Sequence, residues 1–113
     1  MPSWPKRSSQ ARFREVAVYR KSPEAERDLI QIWMYVATES RSAATQFIDR
    51  LHGHMGDLAD MPGMGRIRVE FGPLVRSFAV DDFLIFYRES QAGIDVIRVL
   101  SGRRDLRSVL EGE

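Results

Sequence analysis

With 113 residues, 43% of them hydrophobic and 29% charged, the chain is sized for one core that buries about 65% of its unfolded surface. It has no cysteine, which excludes a disulfide frame and a thiolate zinc site. Its uninterrupted apolar runs, such as Phe83-Leu-Ile-Phe-Tyr87, are far short of the roughly 20 residues of a bilayer span.

Residues 1–14, with Pro2, Pro5 and three serines, read as a flexible basic extension, and residues 15–113 as a single domain. The basic first twenty residues lack the apolar core of a signal peptide, so a soluble cytoplasmic protein is expected. Residues 15–20 alternate, Val16 and Val18 against Ala17 and Tyr19, and predict a short first strand. Ser22 then offers an N-cap oxygen, Pro23 suits the first helical position, and Glu24, Glu26 and Asp28 complement the positive end of a helix dipole. Ala25, Leu29, Ile32, Trp33, Val36 and Ala37 form one stripe of a 3.6-residue period, which places Trp33 in the core. After a break at residues 39–42, Ser40 or Ser42 caps a second helix with the stripe Ala44, Phe47, Ile48, Leu51, Met55 and Leu58. The short connection makes an antiparallel hairpin, which Met61-Pro-Gly-Met-Gly65 ends.

Strand patterns follow at residues 67–71, 74–80, 83–89 and 94–101, with tight turns at Asp81-Asp82 and at residues 90–93. Short links between successive strands give a meander, and the whole reads as an α+β domain of order β-α-α-β-β-β, its helical hairpin packed on a mostly antiparallel sheet. Residues 104–110 extend this by a helical turn or a frayed tail.

The net charge of +1 is unevenly spread. Residues 1–21 carry six Lys/Arg against Glu15, residues 22–65 seven acids against three bases, and the strand region is basic again; fifteen of the seventeen basic residues are arginine. Arginine favours planar, bidentate contacts. In the strand at 74–80 the in-phase set is Leu74, Arg76, Phe78 and Val80, which puts Arg76 on an otherwise apolar face, and Arg98 stands likewise between Val96 and Leu100. Each arginine either pairs with a carboxylate such as Glu70 or Asp95 at the sheet margin, or lines a surface that receives an anionic partner. Arg103 and Arg104 leave the last strand side by side. Tyr35, two residues from Trp33, points roughly 200° away from it and is expected to be exposed. His52 and His54 diverge on their helix and have no third ligand at a suitable spacing, so no metal or other cofactor is expected. Gly63 and Gly65 lack the strand-before, helix-after context of a phosphate loop.

Taken in order, Ser22-Pro-Glu-Ala-Glu-Arg-Asp-Leu29, Ile32-Trp-Met-Tyr35, Met61-Pro-Gly-Met-Gly-Arg66, Val75-Arg76, Ile85-Phe-Tyr-Arg88 and Ile97-Arg-Val-Leu-Ser-Gly-Arg-Arg-Asp105 resemble the ParE toxins of the ParE/RelE superfamily over about residues 15–107. The resemblance implies the toxin of a type II toxin–antitoxin module of the plasmid-stabilization kind, which arrests growth by inhibiting DNA gyrase. It implies a cognate ParD-like antitoxin, a toxin–antitoxin hetero-oligomer, contact with operator DNA only through that complex, and no membrane partner. The antitoxin's C-terminal part is expected over the helical hairpin and the adjoining sheet edge, with Tyr35, Arg76 and Tyr87 as contacts, while Arg76, Arg98, Arg103 and Arg104 meet the target. One alternative is a RelE-like, ribosome-dependent mRNA endonuclease, whose lysine and C-terminal tyrosine have no evident counterpart here: no lysine follows Lys21, and Leu110 stands near the tyrosine's place. Another is a non-toxic module that only binds antitoxin.

Overall fold

The computed structural model describes residues 17–102. Strand β1 (Val18–Lys21) leads into helix α1 (Pro23–Ala37), helix α2 (Arg41–Asp60) and then strands β2 (Arg66–Ile67), β3 (Arg76–Val80), β4 (Phe83–Glu89) and β5 (Gly93–Ser101). The helix starts follow the capping chemistry in the sequence. Ser22 Oγ accepts the Ala25 amide at 2.9 Å and donates to the Ile97 carbonyl at 2.7 Å, so one hydroxyl both caps α1 and fastens it to β5. Of the two serines proposed for α2, Ser40 is the cap, accepting from the Ala43 amide at 3.1 Å.

The five strands form one sheet in the order β1-β5-β4-β3-β2. β2 to β5 pair antiparallel in succession, while β1 lies parallel to β5 with Val18 opposite Gly93 and Lys21 opposite Val96. The chain between β1 and β5 runs through α1, α2 and β2 to β4, far longer than the crossover that a parallel neighbour needs. Gly93 is required there, because a Cβ at this position would run into the Val18 carbonyl.

Between the helices and the sheet lies the main core. Ala25, Leu29 and Ile32 of α1 and Leu51, Met55 and Leu58 of α2 pack with Val80, Ile85, Tyr87, Ile94, Val96 and Val99. On the opposite face Val75, Phe86 and Leu100 form a second cluster, flanked by Phe71, Leu84 and Ile97. Arg68 covers part of it, its guanidinium 5.5 Å from the Phe71 ring centre and 5.9 Å from that of Phe86.

The molecule departs from the sequence pattern at three places in its fold. The strand predicted at residues 67–71 is only the two residues of β2, followed by a 3-10 turn, Val69–Phe71. The strand predicted from Leu74 begins at Arg76, because Gly72 (φ 131°) and Leu74 (φ 67°) take left-handed backbone around Pro73 and break the extended run. Leu74 is therefore out of phase with Arg76 and 77% exposed. Trp33 is half-buried rather than core: it sits at the α1–α2 seam, donating from Nε1 to Thr45 Oγ1 at 3.2 Å with Arg41 over its ring.

Candidate functional site

Arg76 opens β3, opposite Ile67 of β2 on one side and Tyr87 of β4 on the other. It lies on the face shared with Phe78 and Val80, as the alternation requires, but its guanidinium reaches the Gly65 carbonyl at 2.8 Å. Tyr87 pins the same segment. Its hydroxyl donates to the Pro62 carbonyl at 2.7 Å and accepts from the Gly65 amide at 2.8 Å. Tyr87, expected as a partner contact, is 0% exposed, and burial pushes its phenol above the ordinary tyrosine range. Its place in the middle of β4 puts it beneath α2, and the hydroxyl is consumed in holding the turn that ends that helix.

Arg98 is also differently placed from the alternation pattern. A register shift in the β4–β5 pairing brings Phe86 opposite Arg98 and Tyr87 opposite Val96, leaving Ile97 as an extra residue. Val96 and Val99 consequently face the main core while Leu100 joins the second cluster. The guanidinium of Arg98 meets Asp28 of α1 in a two-pronged ion pair, Nε to Oδ2 at 2.8 Å and Nη2 to Oδ1 at 3.0 Å. Asp28 Oδ2 also accepts the Val99 amide at 2.9 Å. The partner is thus neither Glu70 nor Asp95 but a helix carboxylate at the β5 margin, which the sequence suggests only as a dipole-complementing acid.

Arg103, Arg104 and the extension at residues 1–14 lie outside the described residues. β5 ends beside an open cleft of about 540 Å³ lined by Tyr35, Asp81, Asp82, Phe83, Leu84 and Ser101. Tyr35 is 63% exposed, as its angle from Trp33 implies, and Ile30 and Met34 of α1 are exposed as well.

The two histidines separate as their spacing dictates. His52 meets Lys21, Nε2 to Nζ at 3.0 Å, and stacks on Tyr19, whereas His54 packs on Phe78. Burial and the Lys21 charge hold His52 below its ordinary pKa, against the opposing pull of Asp49 and Glu26. Lys21 also stands 3.9 Å from Glu26, and burial, with Glu26 second, pushes the Tyr19 phenol up. Among the described residues no group of three or more His, Cys, Asp or Glu is arranged to hold a metal ion, and no helix is long and apolar enough to cross a membrane.

One feature escapes the strand pattern. Met61, Met64, Ile67, Val69 and Leu74 are all exposed, by 60, 42, 55, 73 and 77%, and all fall within residues 61–74 at the open β2 edge. The signal for it was Gly72-Pro73, which cannot sit inside a paired strand and so frees the neighbouring apolar side chains from sheet phase.

A family model described as the ParE toxin of the type II toxin–antitoxin system parDE matches residues 19–106. Among solved structures, one described as the chromosomal ParDE TA system from P. aeruginosa is similar at 19% identity with a TM-score of 0.63, covering 76% of this chain and 96% of that chain. At that identity the likeness bears on the fold. No curated protein matches the chain.

Proposed function

Since the chain belongs to the ParE toxin family of type II toxin–antitoxin systems, we propose that it is the toxin of such a pair, held inactive by a cognate ParD-like antitoxin and acting, once released, by inhibiting DNA gyrase. In this reading it arrests growth by binding and turns over no substrate. The antitoxin covers the exposed Ile30, Met34 and Tyr35 of α1, and the target meets the arginines near the ends of β3 and β5, with Arg103 and Arg104 as the principal contacts.

The observation that carries the binding reading over a nucleolytic one is where the proton-moving groups lie. Cleavage of a phosphodiester needs a base and an acid within reach of the reacting oxygens. Lys21 is engaged with His52 and Glu26, and Tyr87 is buried with its hydroxyl both donating and accepting inside the chain. Arginine stays charged at neutral pH and is a poor base, but it recognises anionic groups well.

The test is a supercoiling and DNA-cleavage assay with purified gyrase, run beside an mRNA-cleavage assay on programmed ribosomes. Accumulating gyrase cleavage complexes with intact mRNA is the expected result. Codon-spaced cuts in the mRNA with gyrase unaffected would overturn it and favour the RelE-like alternative.

A further inference from the structure

We propose that the β2 edge is a strand-addition site for the antitoxin: an extended apolar segment bearing a carboxylate lies along residues 61–74 and pairs with Ile67. The proposal rests on the antitoxin-bound reading above and adds to the α1 contact a second one, at the β2 edge, with its mode of docking. Arg68 donates its amide to the Val75 carbonyl at 2.8 Å, so Arg68 and Val75 face each other as a hydrogen-bonded position of the β2–β3 ladder. Alternation then makes Arg66–Ser77 another such position, and Ile67–Arg76, between them, a non-bonded one. The amide and carbonyl of Ile67 consequently face the open edge, where an added strand would find them.

One outward pair of backbone groups fixes register, and the side chains supply the rest. Met61, Met64, Ile67, Val69 and Leu74 are exposed together along this edge. Leu74 holds its position on left-handed backbone (φ 67°), a conformation that leucine resists and that here serves to hold an apolar side chain in water. The charge around the edge is basic. Arg66 is exposed and Arg76 stands opposite Ile67 on the neighbouring strand, whereas Glu70 is already paired with Arg68 at 3.0 Å.

A second copy of the chain fits this edge poorly. Antiparallel pairing about a two-fold axis at Ile67 sets Arg66 of one copy against Arg68 of the other, twice, and like charges directly opposite destabilise a ladder. An apolar segment carrying an acid meets no such conflict.

The experiment uses the full chain with the purified product of the reading frame adjoining its gene. Ile67→Pro removes the outward-facing donor together with the exposed Ile67 side chain and leaves the β2–β3 bonds in place, so its melting midpoint should stay within about 4 °C of the wild type. Its affinity for the antitoxin should fall about tenfold or more. Independently of any variant, hydrogen exchange at the Ile67 amide, fast in the free toxin, should become slow in the saturated wild-type complex. A folded Ile67→Pro chain that binds within about twofold of the wild type, or an Ile67 amide that still exchanges fast in a tight complex, would overturn the edge site while leaving antitoxin binding intact. Absence of any wild-type complex would overturn both. A wild-type homodimer that Ile67→Pro dissolves would assign the edge to a second copy and also overturn the proposal.

Discussion

Between the helices and the sheet, Leu51, Met55, Leu58, Ile85, Tyr87 and Val96 are wholly buried, whereas at the β2 edge Met61, Met64, Ile67, Val69 and Leu74 stand 42–77% exposed. The two sets are alike in chemistry and opposite in circumstance. Fully burying such a side chain contributes about 1.5–3 kcal/mol, so the first set accounts for much of what makes the chain fold. The second adds little to folding, and the left-handed backbone at Leu74 opposes it by roughly 1–2 kcal/mol. Apolar surface held against a local penalty is surface available to another chain, and on the reading proposed here that chain is the antitoxin. Substitutions should therefore divide cleanly: those under the helices change stability, those at the edge change binding.

The largest effect expected on the folding side is at Asp28. Asp28→Ala strips Arg98 of its two-pronged partner and leaves the Val99 amide without its acceptor, which should destabilise the chain by about 3 kcal/mol in urea unfolding. Loss of less than about 1 kcal/mol would show that the pair is solvated in practice. Tyr87→Phe should cost about 2 kcal/mol, since one hydroxyl serves both the Pro62 carbonyl and the Gly65 amide. It also sharpens the comparison, because the turn it anchors leads straight into the exposed edge. If Tyr87→Phe weakens antitoxin binding as well, the buried side positions the open one.

A smaller effect should come from pH. His52 is held below its ordinary value by burial and by Lys21, so the unfolded chain takes up its proton first as pH falls. Stability is then full above the unfolded value of about 6.5 and declines as pH drops from there toward the lowered folded value. Urea midpoints at neutral pH and in mild acid should differ more for the wild type than for His52→Gln. Equal slopes would mean that His52 takes up its proton alike in the folded and the unfolded chain.

Much of the folding side was legible in the sequence. Ser22, Pro23 and the stripe through Leu29 and Ile32 state α1 by local chemistry alone, and Phe83–Glu89 is a strand by its short continuous apolar run and aromatic composition. What was not legible depends on distance along the chain. Asp28 and Arg98 meet only because α1 is fastened to β5, seventy residues away, and the extra residue at Ile97 undoes the phase that would have set Arg98 on an apolar face. Tyr87 is apolar and polar at once, and only its position under α2 decides that it is anchor rather than contact. The edge was hidden for a different reason: Val69 and Leu74 have strand-like composition, and the backbone around Gly72 and Pro73 overrides it.

The separation of folding from recognition is tested most directly by the antitoxin affinity of Leu74→Gly, read beside its melting midpoint. Glycine relieves the left-handed strain that leucine carries at φ 67° and removes the exposed side chain. The midpoint should be unchanged or raised and the affinity lowered about tenfold, the loss expected when one leucine no longer becomes buried on binding. A lowered midpoint with affinity unchanged would contradict this, placing Leu74 among the residues that fold the chain.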